Sequence, residues 1–297
     1  MALKVLPGLS FAERTTLRLG GRSQVEIVVT SPDDAHGLAG ELKKHASRPF
    51  VLGHGSNLLV REGELDLAVI TLAKGEPVAV NRVVRAPGGM MLPKLVMWAA
   101  AHGFSGLEGL AGIPGTVGGA VAMNAGSFGS EMADNLSRVH LWDMASGARW
   151  ITQDALGGPG GWSASYRAFA PRGVSASSAP WIVLEAELAL ATADPQAVRA
   201  ATDEVLAKKK ATQPVSAATC GCAFKNPPDM SAGQLLDVLG FRGKRAGGMA
   251  FSPMHANFLV NNGGGTPGQA LALIDEARLA VRENFDVELE LEVRVVE

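Results

Sequence analysis

The stretch that most constrains this 297-residue chain runs from Gly106 to Gly129, GLEGLAGIPGTVGGAVAMNAGSFG. Eight of its residues are glycine and only Glu108 is charged. Each glycine inside a helix or strand costs about 0.5–1 kcal/mol relative to alanine, so the run is no ordinary element. Glycine admits positive φ and lets another molecule approach the main chain closely. Pro114 fixes one φ. Thr116 adds a hydroxyl, and Asn124 adds an amide that can satisfy turn backbone. The expected product is a set of N–H groups aimed at one spot, which suits an anion such as a pyrophosphate. A connecting loop is usually about 4–6 residues long, so a plain turn does not account for the run. No Gly-Lys-Ser/Thr follows, as a Walker loop requires. No Gly-x-Gly-x-x-Gly sits between a strand and a helix with an acid about 20 residues on.

A second glycine cluster follows a strand. In VLGHGSNLLV, Val51 to Val60, an apolar strand ends in Gly53-His54-Gly55-Ser56-Asn57 and resumes at Leu58. Two glycines, a hydroxyl and an amide at a strand end form a second candidate phosphate cradle; a hairpin turn is the simpler alternative. His54 reads as a bystander in this loop rather than a catalyst.

The rest of the composition narrows the class. Apolar residues make up 47% of the chain, enough for buried cores, and the 36 glycines exceed the usual share of about 7%. The net charge is −2 with no basic block, which argues against nucleic acid as a partner. Lys208–Lys210 suits a helix end. No apolar run reaches about 18 residues, so no membrane span is expected. The N-terminus lacks an apolar segment of signal-peptide length, so a cytoplasmic location is expected. Cys220 and Cys222, separated by one glycine, make a poor structural disulfide, and two thiols alone make no zinc site.

Read in order, the chain alternates strands and helices. Strands are expected at Val25–Val29, Phe50–Leu52, Leu67–Leu72, Val78–Arg85, Arg138–Met144, Arg149–Thr152 and Trp181–Leu190. Ser31-Pro32-Asp33-Asp34 starts a helix expected to reach His45. Met90–His102 is a helix with Leu92, Leu95, Val96 and Ala99 on its apolar face. Tyr166-Arg167 is expected in a loop, with a small polar loop at Ala170–Ala179. Asp194-Pro195 opens a helix ending near Lys210; Ser231 caps one ending at Gly240; another spans about Pro267–Asn284. In VELELEVRVV, Val287, Leu289, Leu291, Val293 and Val295 share one face of an expected strand, and Glu288, Glu290, Glu292 and Arg294 the other.

These motifs, in this order, resemble the UDP-N-acetylenolpyruvoylglucosamine reductase, or MurB, family over nearly the whole chain. Gly106–Gly126 resembles its flavin-binding signature. Thr15–Gly21, TTLRLGG, resembles its opening motif beside the flavin. Gly53–Asn57 matches its Gly-x-Gly-Ser-Asn. Tyr166-Arg167 matches its Tyr-Arg pair. Thr219–Pro227, TCGCAFKNP, resembles Ser-Ala-Gly-Ser-x-Phe-Lys-Asn-Pro, with Cys222 at the position of the proton-donating serine and Cys220 a spectator. Met254-His255-Ala256-Asn257-Phe258 resembles Lys-His-Ala-Asn-Phe, with Met where Lys is usual. Leu289–Val293 resembles the closing Leu-Glu-x-Glu-Val, which places the catalytic glutamate at Glu292. The chain has a single tyrosine and no room for a tyrosine-bearing substrate loop before residue 194, so it resembles the shorter subtype.

The resemblance implies an α+β fold. A vanillyl-alcohol-oxidase/PCMH-type FAD-binding domain would span 1–193, in subdomains of about 1–72 and 73–193, and an α/β substrate domain would span 194–297. FAD contacts would come from Arg18, from Gly53, His54, Gly55, Ser56, Asn57 and Leu58, from Gly112, Ile113, Pro114, Gly115 and Thr116, and from Gly118, Gly119 and Ala120. Tyr166, Lys225, Asn226, His255 and Asn257 would bind substrate. The implied reaction reduces UDP-N-acetylglucosamine enolpyruvate to UDP-N-acetylmuramate, the flavin carrying hydride from NADPH. Arg167 and a protonated Glu292 would stabilise charge developing on the substrate carboxylate. Cys222 would donate a proton; a thiol of pKa about 8.5 is mostly protonated at neutral pH. Lys225 nearby could lower that pKa. No metal is implied, and a monomer is expected. The alternatives are another FAD oxidoreductase on the same scaffold, such as an alcohol oxidase, against which Cys222, Asn226 and Glu292 argue, and a non-catalytic nucleotide-sugar or flavin-binding protein, against which Arg167, Cys222 and Glu292 argue.

Overall fold

A computed structural model describes residues 3–153, 161–174 and 180–297. The chain divides into two compact units: Met1–Gly8, Gln24–His54 and Asp66–Ala207 form one, and Leu9–Ser23, Gly55–Leu65 and Lys208–Glu297 form the other.

The first unit is built on two sheets. One has four strands in the order Lys4–Pro7, Arg22–Val29, Glu64–Leu72, Arg48–Val51. Its outer strands differ in sense: Lys4–Pro7 runs antiparallel to Arg22–Val29, and Arg48–Val51 parallel to Glu64–Leu72. The second is an antiparallel five-stranded sheet in the order Gly147–Thr152, Leu136–Asp143, Trp181–Ala189, Val83–Pro87, Val78–Val80. Helices Leu92–Ala101 and Val117–Ala122 share a core with it that includes Leu95, Val121, Val139, Leu141 and Leu188. The apolar spacing of the first helix accounts for this: Leu92, Leu95, Val96 and Ala99 are all buried.

The second unit has a four-stranded antiparallel sheet in the order Ala218–Cys222, Phe258–Asn261, Met249–Phe251, Arg245–Ala246. Helices Ala232–Val238 and Pro267–Phe285 each start with a capping box, at Ser231/Gln234 and Thr266/Gln269. Their buried faces join Leu17, Phe224, Phe241 and Phe251 in one core.

Three expectations need correction. The segment expected as one strand at Val78–Arg85 is a hairpin, with Val80 opposite Val83. Asn81 turns it at φ +56, a conformation that asparagine tolerates better than other non-glycine residues. The helix expected from Ser31 to His45 is a 3-10 turn, Pro32–Gly37, followed by a short α-helix, Leu38–Leu42. The alternating C-terminus is strand only at Arg294–Val296, which pairs parallel with Leu58–Val60. Ahead of it the N–H groups of Glu292 and Val293 both point at the Ala223 carbonyl, at 2.9 and 3.3 Å. Two consecutive amides on one carbonyl break a regular ladder, as in a bulge. The period-two burial nevertheless survives, with Leu289 and Val293 buried and Glu288 and Glu290 exposed.

Candidate functional site

In the first unit the two glycine motifs meet. Strand Arg48–Val51 ends with Leu52 donating to Ile70 O at 2.9 Å, and the chain leaves as exposed Gly53 and His54. A Cβ on Gly53 would lie 2.7 Å from Thr116 Oγ1, so only glycine allows this approach. Thr116 Oγ1 in turn accepts from Gly119 N–H at 3.2 Å, capping helix Val117–Ala122.

The backbone donors here sort into two classes. Val117 and Gly118 donate to Met90 O and Gly88 O, both at 2.8 Å, and Ala120 to Thr116 O, also at 2.8 Å. With Gly119 on Thr116 Oγ1, the N–H groups of Gly118, Gly119 and Ala120 are already engaged, and these residues offer bare main-chain surface rather than donors. Ile113 N–H is likewise on Leu110 O, at 3.1 Å, and Pro114 has none. Within the expected Gly112–Thr116 set, Ile113 and Pro114 therefore contribute no free N–H. By contrast, the N–H groups of Gly53, His54, Gly112, Gly115 and Thr116 meet no acceptor among the described residues. Gly115 and Thr116 are buried residues, and a buried N–H without a partner is rare in folded proteins. A bound anion resolves that deficit, so the cradle fits the diphosphate of a dinucleotide. His54 beside it is held neutral, first by desolvation of the ring and second by the charge of Lys74, which lower its pKa.

Tyr166 and Arg167, expected in a loop, are the two-residue turn of a hairpin. Ser165 pairs with Ala168 in the antiparallel strands Trp162–Ser165 and Ala168–Pro171. The expected Ala170–Ala179 loop thus begins in a strand, and its 175–179 part lies outside the described residues. Arg167 has φ +58. Its guanidinium sits 4.8 Å from the centre of the exposed Tyr166 ring, and Nη1 donates to Gly126 O at 3.2 Å.

In the second unit, Arg18 is exposed in a left-handed conformation, φ +57, on the turn closed by its N–H to Thr15 O at 3.2 Å. Gly21 in the same motif packs against Gly63, whose carbonyl a Cβ would overlap at 1.8 Å. Gly55 is buried at φ +67, and its N–H meets no acceptor among the described residues; its carbonyl takes Thr16 N–H at 3.3 Å. Asn57 Nδ2 donates to Glu292 O at 2.9 Å, and Arg294 N–H returns to Asn57 O at 3.0 Å. The glycine loop and the Glu292 segment are therefore laced together. Ser56 is half-buried, and Leu58 opens the strand beside Arg294–Val296.

Burial separates the two thiols. Cys220 is 1% exposed, and burial pushes its pKa up to about 12. Cys222, two residues on, is half-buried at the end of strand Ala218–Cys222, opposite Phe258. The register shifts between Thr219 and Cys222, and Gly221 takes φ +80. Such a bulge re-aims the following side chain. Ala223 follows, and its carbonyl accepts Glu292 N–H at 2.9 Å. Glu292 is thereby bonded to the residue next to Cys222, although the two lie 70 residues apart in sequence.

Lys225 Nζ pairs with Glu290 Oε2 at 3.0 Å, so its charge is committed to Glu290 rather than reserved for Cys222. Asn226 is exposed, and its Oδ1 accepts from Ala232 N–H at 3.1 Å, at the start of helix Ala232–Val238. His255 Nδ1 accepts from Asn257 N–H at 3.2 Å. An N–H can only donate, so the neutral ring carries its proton on Nε2. Burial first and the Arg242 charge second lower its pKa and keep it neutral.

Asn257, expected to touch substrate, has another task. It is 1% exposed; its Oδ1 accepts from Phe224 N–H at 3.0 Å and its Nδ2 donates to Phe224 O at 2.8 Å. Ala223 N–H also donates to Asn257 O, at 2.8 Å. A buried amide spent on the backbone between Cys222 and Lys225 is a brace. Asn57 and Asn124 likewise spend their amides inside the chain. Asn124 thus satisfies turn backbone as expected, whereas the bond from Asn57 to Glu292 O was missed in sequence, because a side-chain amide in a glycine-rich motif reads equally as turn chemistry or as ligand contact. Among the described residues no group of three or more His, Cys, Asp and Glu could hold a metal, and no helix is long and apolar enough to cross a membrane.

Comparison with known proteins finds two family matches. Residues 23–152 match an FAD binding domain, and residues 213–296 match the UDP-N-acetylenolpyruvoylglucosamine reductase C-terminal domain. The chain is 43% identical to the UDP-N-acetylenolpyruvoylglucosamine reductase of Nitratidesulfovibrio vulgaris, over 99% of both chains. It is 45% identical to that of Oleidesulfovibrio alaskensis, over 98% of this chain and 97% of the relative. The crystal structure of the Thermus caldophilus enzyme superposes with a TM-score of 0.81 at 34% identity, covering 99% of this chain and all of the other. The chain belongs to the UDP-N-acetylenolpyruvoylglucosamine reductase (MurB) family, an α+β fold that joins a PCMH-type FAD-binding domain to the family's C-terminal domain.

Proposed function

We propose that this chain reduces UDP-N-acetylglucosamine enolpyruvate to UDP-N-acetylmuramate for peptidoglycan precursor synthesis, with NADPH as the reductant and FAD as the resident cofactor. The observation that carries the reading is the hydrogen bond from Glu292 N–H to the carbonyl of Ala223, the residue that follows Cys222. It brings the segment that carries Glu292 beside the backbone that carries Cys222, within one unit. Residues 1–193 would hold the cofactor, in subdomains meeting near residue 72, and 194–297 the substrate. The family matches at 23–152 and 213–296 support that division. A monomer in the cytoplasm completes the proposal.

FAD, when bound, would supply the hydride chemistry that links NADPH to the enolpyruvyl double bond. The N–H groups of Gly53, His54, Gly55, Gly112, Gly115 and Thr116 hold its diphosphate. Gly118, Gly119 and Ala120 give it close contact, and Arg18, Ser56, Asn57 and Leu58 border it. Arg167 presents a planar fork to the substrate carboxylate. A protonated Glu292 donates a hydrogen bond to the same developing charge. Cys222 gives its proton to the carbon beside the carboxylate. Tyr166, Lys225 and Asn226 contact the sugar nucleotide, and His255 donates from Nε2.

Purified protein tests this directly. It should be yellow, bleach with NADPH, and regain colour rapidly only when the enolpyruvyl sugar nucleotide is added without oxygen. Bleaching by an alcohol would select an oxidase instead, and colourless protein that takes up no FAD would end the proposal.

A further inference from the structure

We propose that Asn124 is a positioning residue for Arg167, acting through the turn that carries it. The proposal rests on the role given to Arg167 above. Asn124 is 1% exposed and adopts φ +40. Its Nδ2 donates to Glu131 Oε2 at 2.6 Å and to Ser165 O at 3.1 Å, while its Oδ1 accepts from Ala133 N–H at 3.0 Å. Ser165 is the last strand residue before the Tyr166-Arg167 turn. From the other side, Arg167 Nη1 donates to Gly126 O, and Gly126 pairs with Glu131 in a short antiparallel ladder. The circuit closes: Asn124 holds Glu131, Glu131 is laddered to Gly126, Gly126 holds the guanidinium, and Asn124 also holds the hairpin below it. Both ends of the turn are thus referred to one buried side chain.

The residue type fits the task. Two donors and one acceptor on a short side chain are available only from an amide. Aspartate would set a carboxylate against two acceptors, Glu131 Oε2 and Ser165 O. Asparagine also tolerates a left-handed backbone. The Arg167 backbone is itself left-handed, at φ +58, so the turn needs outside support to hold the fork in one place.

The test uses the FAD-loaded enzyme and separates its two half-reactions by stopped-flow absorbance. Asn124→Gly keeps the permitted φ and deletes only the side chain. It should slow reoxidation by the enolpyruvyl sugar nucleotide by about tenfold to a hundredfold, the scale of a misplacement near 1 Å, and leave reduction by NADPH and flavin content unchanged. In an Arg167→Lys background the same change should add almost nothing, because coupled sites are not additive. Equal slowing of both half-reactions, or full additivity with Arg167→Lys, would overturn the proposal, since a merely structural asparagine behaves that way. If Arg167→Lys alone reoxidises at the wild-type rate, the role of Arg167 falls and this proposal falls with it. Should Asn124→Gly not fold, Glu131→Gln alters only the carboxylate under Nδ2. It should give a smaller loss with the same selectivity and non-additivity, and wild-type reoxidation there would count against the proposal.

Discussion

Replacing Asn257 with alanine should distinguish a brace from a substrate contact. The wild-type side chain makes two hydrogen bonds to Phe224, at 3.0 and 2.8 Å, in a position 1% exposed. Alanine leaves the Phe224 N–H and C=O without those partners. Each buried group left unsatisfied costs about 1–3 kcal/mol, so the two together cost about 2–6 kcal/mol. Phe224 is fully buried, which leaves water little access to replace the amide. Urea melts of the FAD-loaded protein, followed by far-UV circular dichroism, should show that loss. Because the segment beside Cys222 loosens, substrate-driven reoxidation should slow at saturation, with the substrate KM moving less than about threefold. The reasoning fails if stability changes by less than about 1 kcal/mol while KM rises tenfold or more. That result would restore Asn257 to the substrate contacts.

Cys222→Ala should still be reduced by NADPH but lose about 10²–10⁴ in reoxidation, while Cys222→Ser keeps substantial activity; wild-type reoxidation in the alanine variant would remove the proton-donor role. With a pKa of about 12, Cys220 is about 10⁻⁴ thiolate at pH 8 and is also buried, so alkylation at that pH should modify Cys222 alone. Two fast-reacting thiols by mass spectrometry would contradict the burial argument. Gly115→Val should give colourless protein, because Gly115 sits at φ +150, where valine is strained and its side chain obstructs the cradle. Full flavin content in a folded variant would refute this. His255 has a folded pKa below its ordinary 6.5, so the unfolded chain takes up the proton first as pH falls. Stability should therefore drop below about pH 6.5, until the folded ring itself protonates. His255→Gln should flatten that part of the profile, and an unchanged slope would show that the ring is not the responsible group.

Local chemistry was legible in the sequence wherever it was a matter of neighbours along the chain. The cap at Ser231, the buried face of helix Leu92–Ala101, the hairpin at Gly147 and the glycine density of the two cradles all follow from spacing and backbone preference. The motifs, in their order, also disclosed the family. What pairs with what across tens of residues was not legible. Gly53 reads as part of a cradle or a turn, and the reason that it must be glycine emerges only when Thr116 is found where its Cβ would be. The amides of Gly118, Gly119 and Ala120 read as donors until Gly88, Thr116 and their neighbours are seen to consume them. Asn257 and Asn124 read as ligand contacts or turn residues until burial and three-way bonding make them braces. The terminal alternation predicted a strand, but regular pairing holds only at Arg294–Val296, because two amides share the Ala223 carbonyl. A backbone donor is free or spent according to which distant acceptor the tertiary fold brings within about 3 Å, and no local pattern encodes that choice.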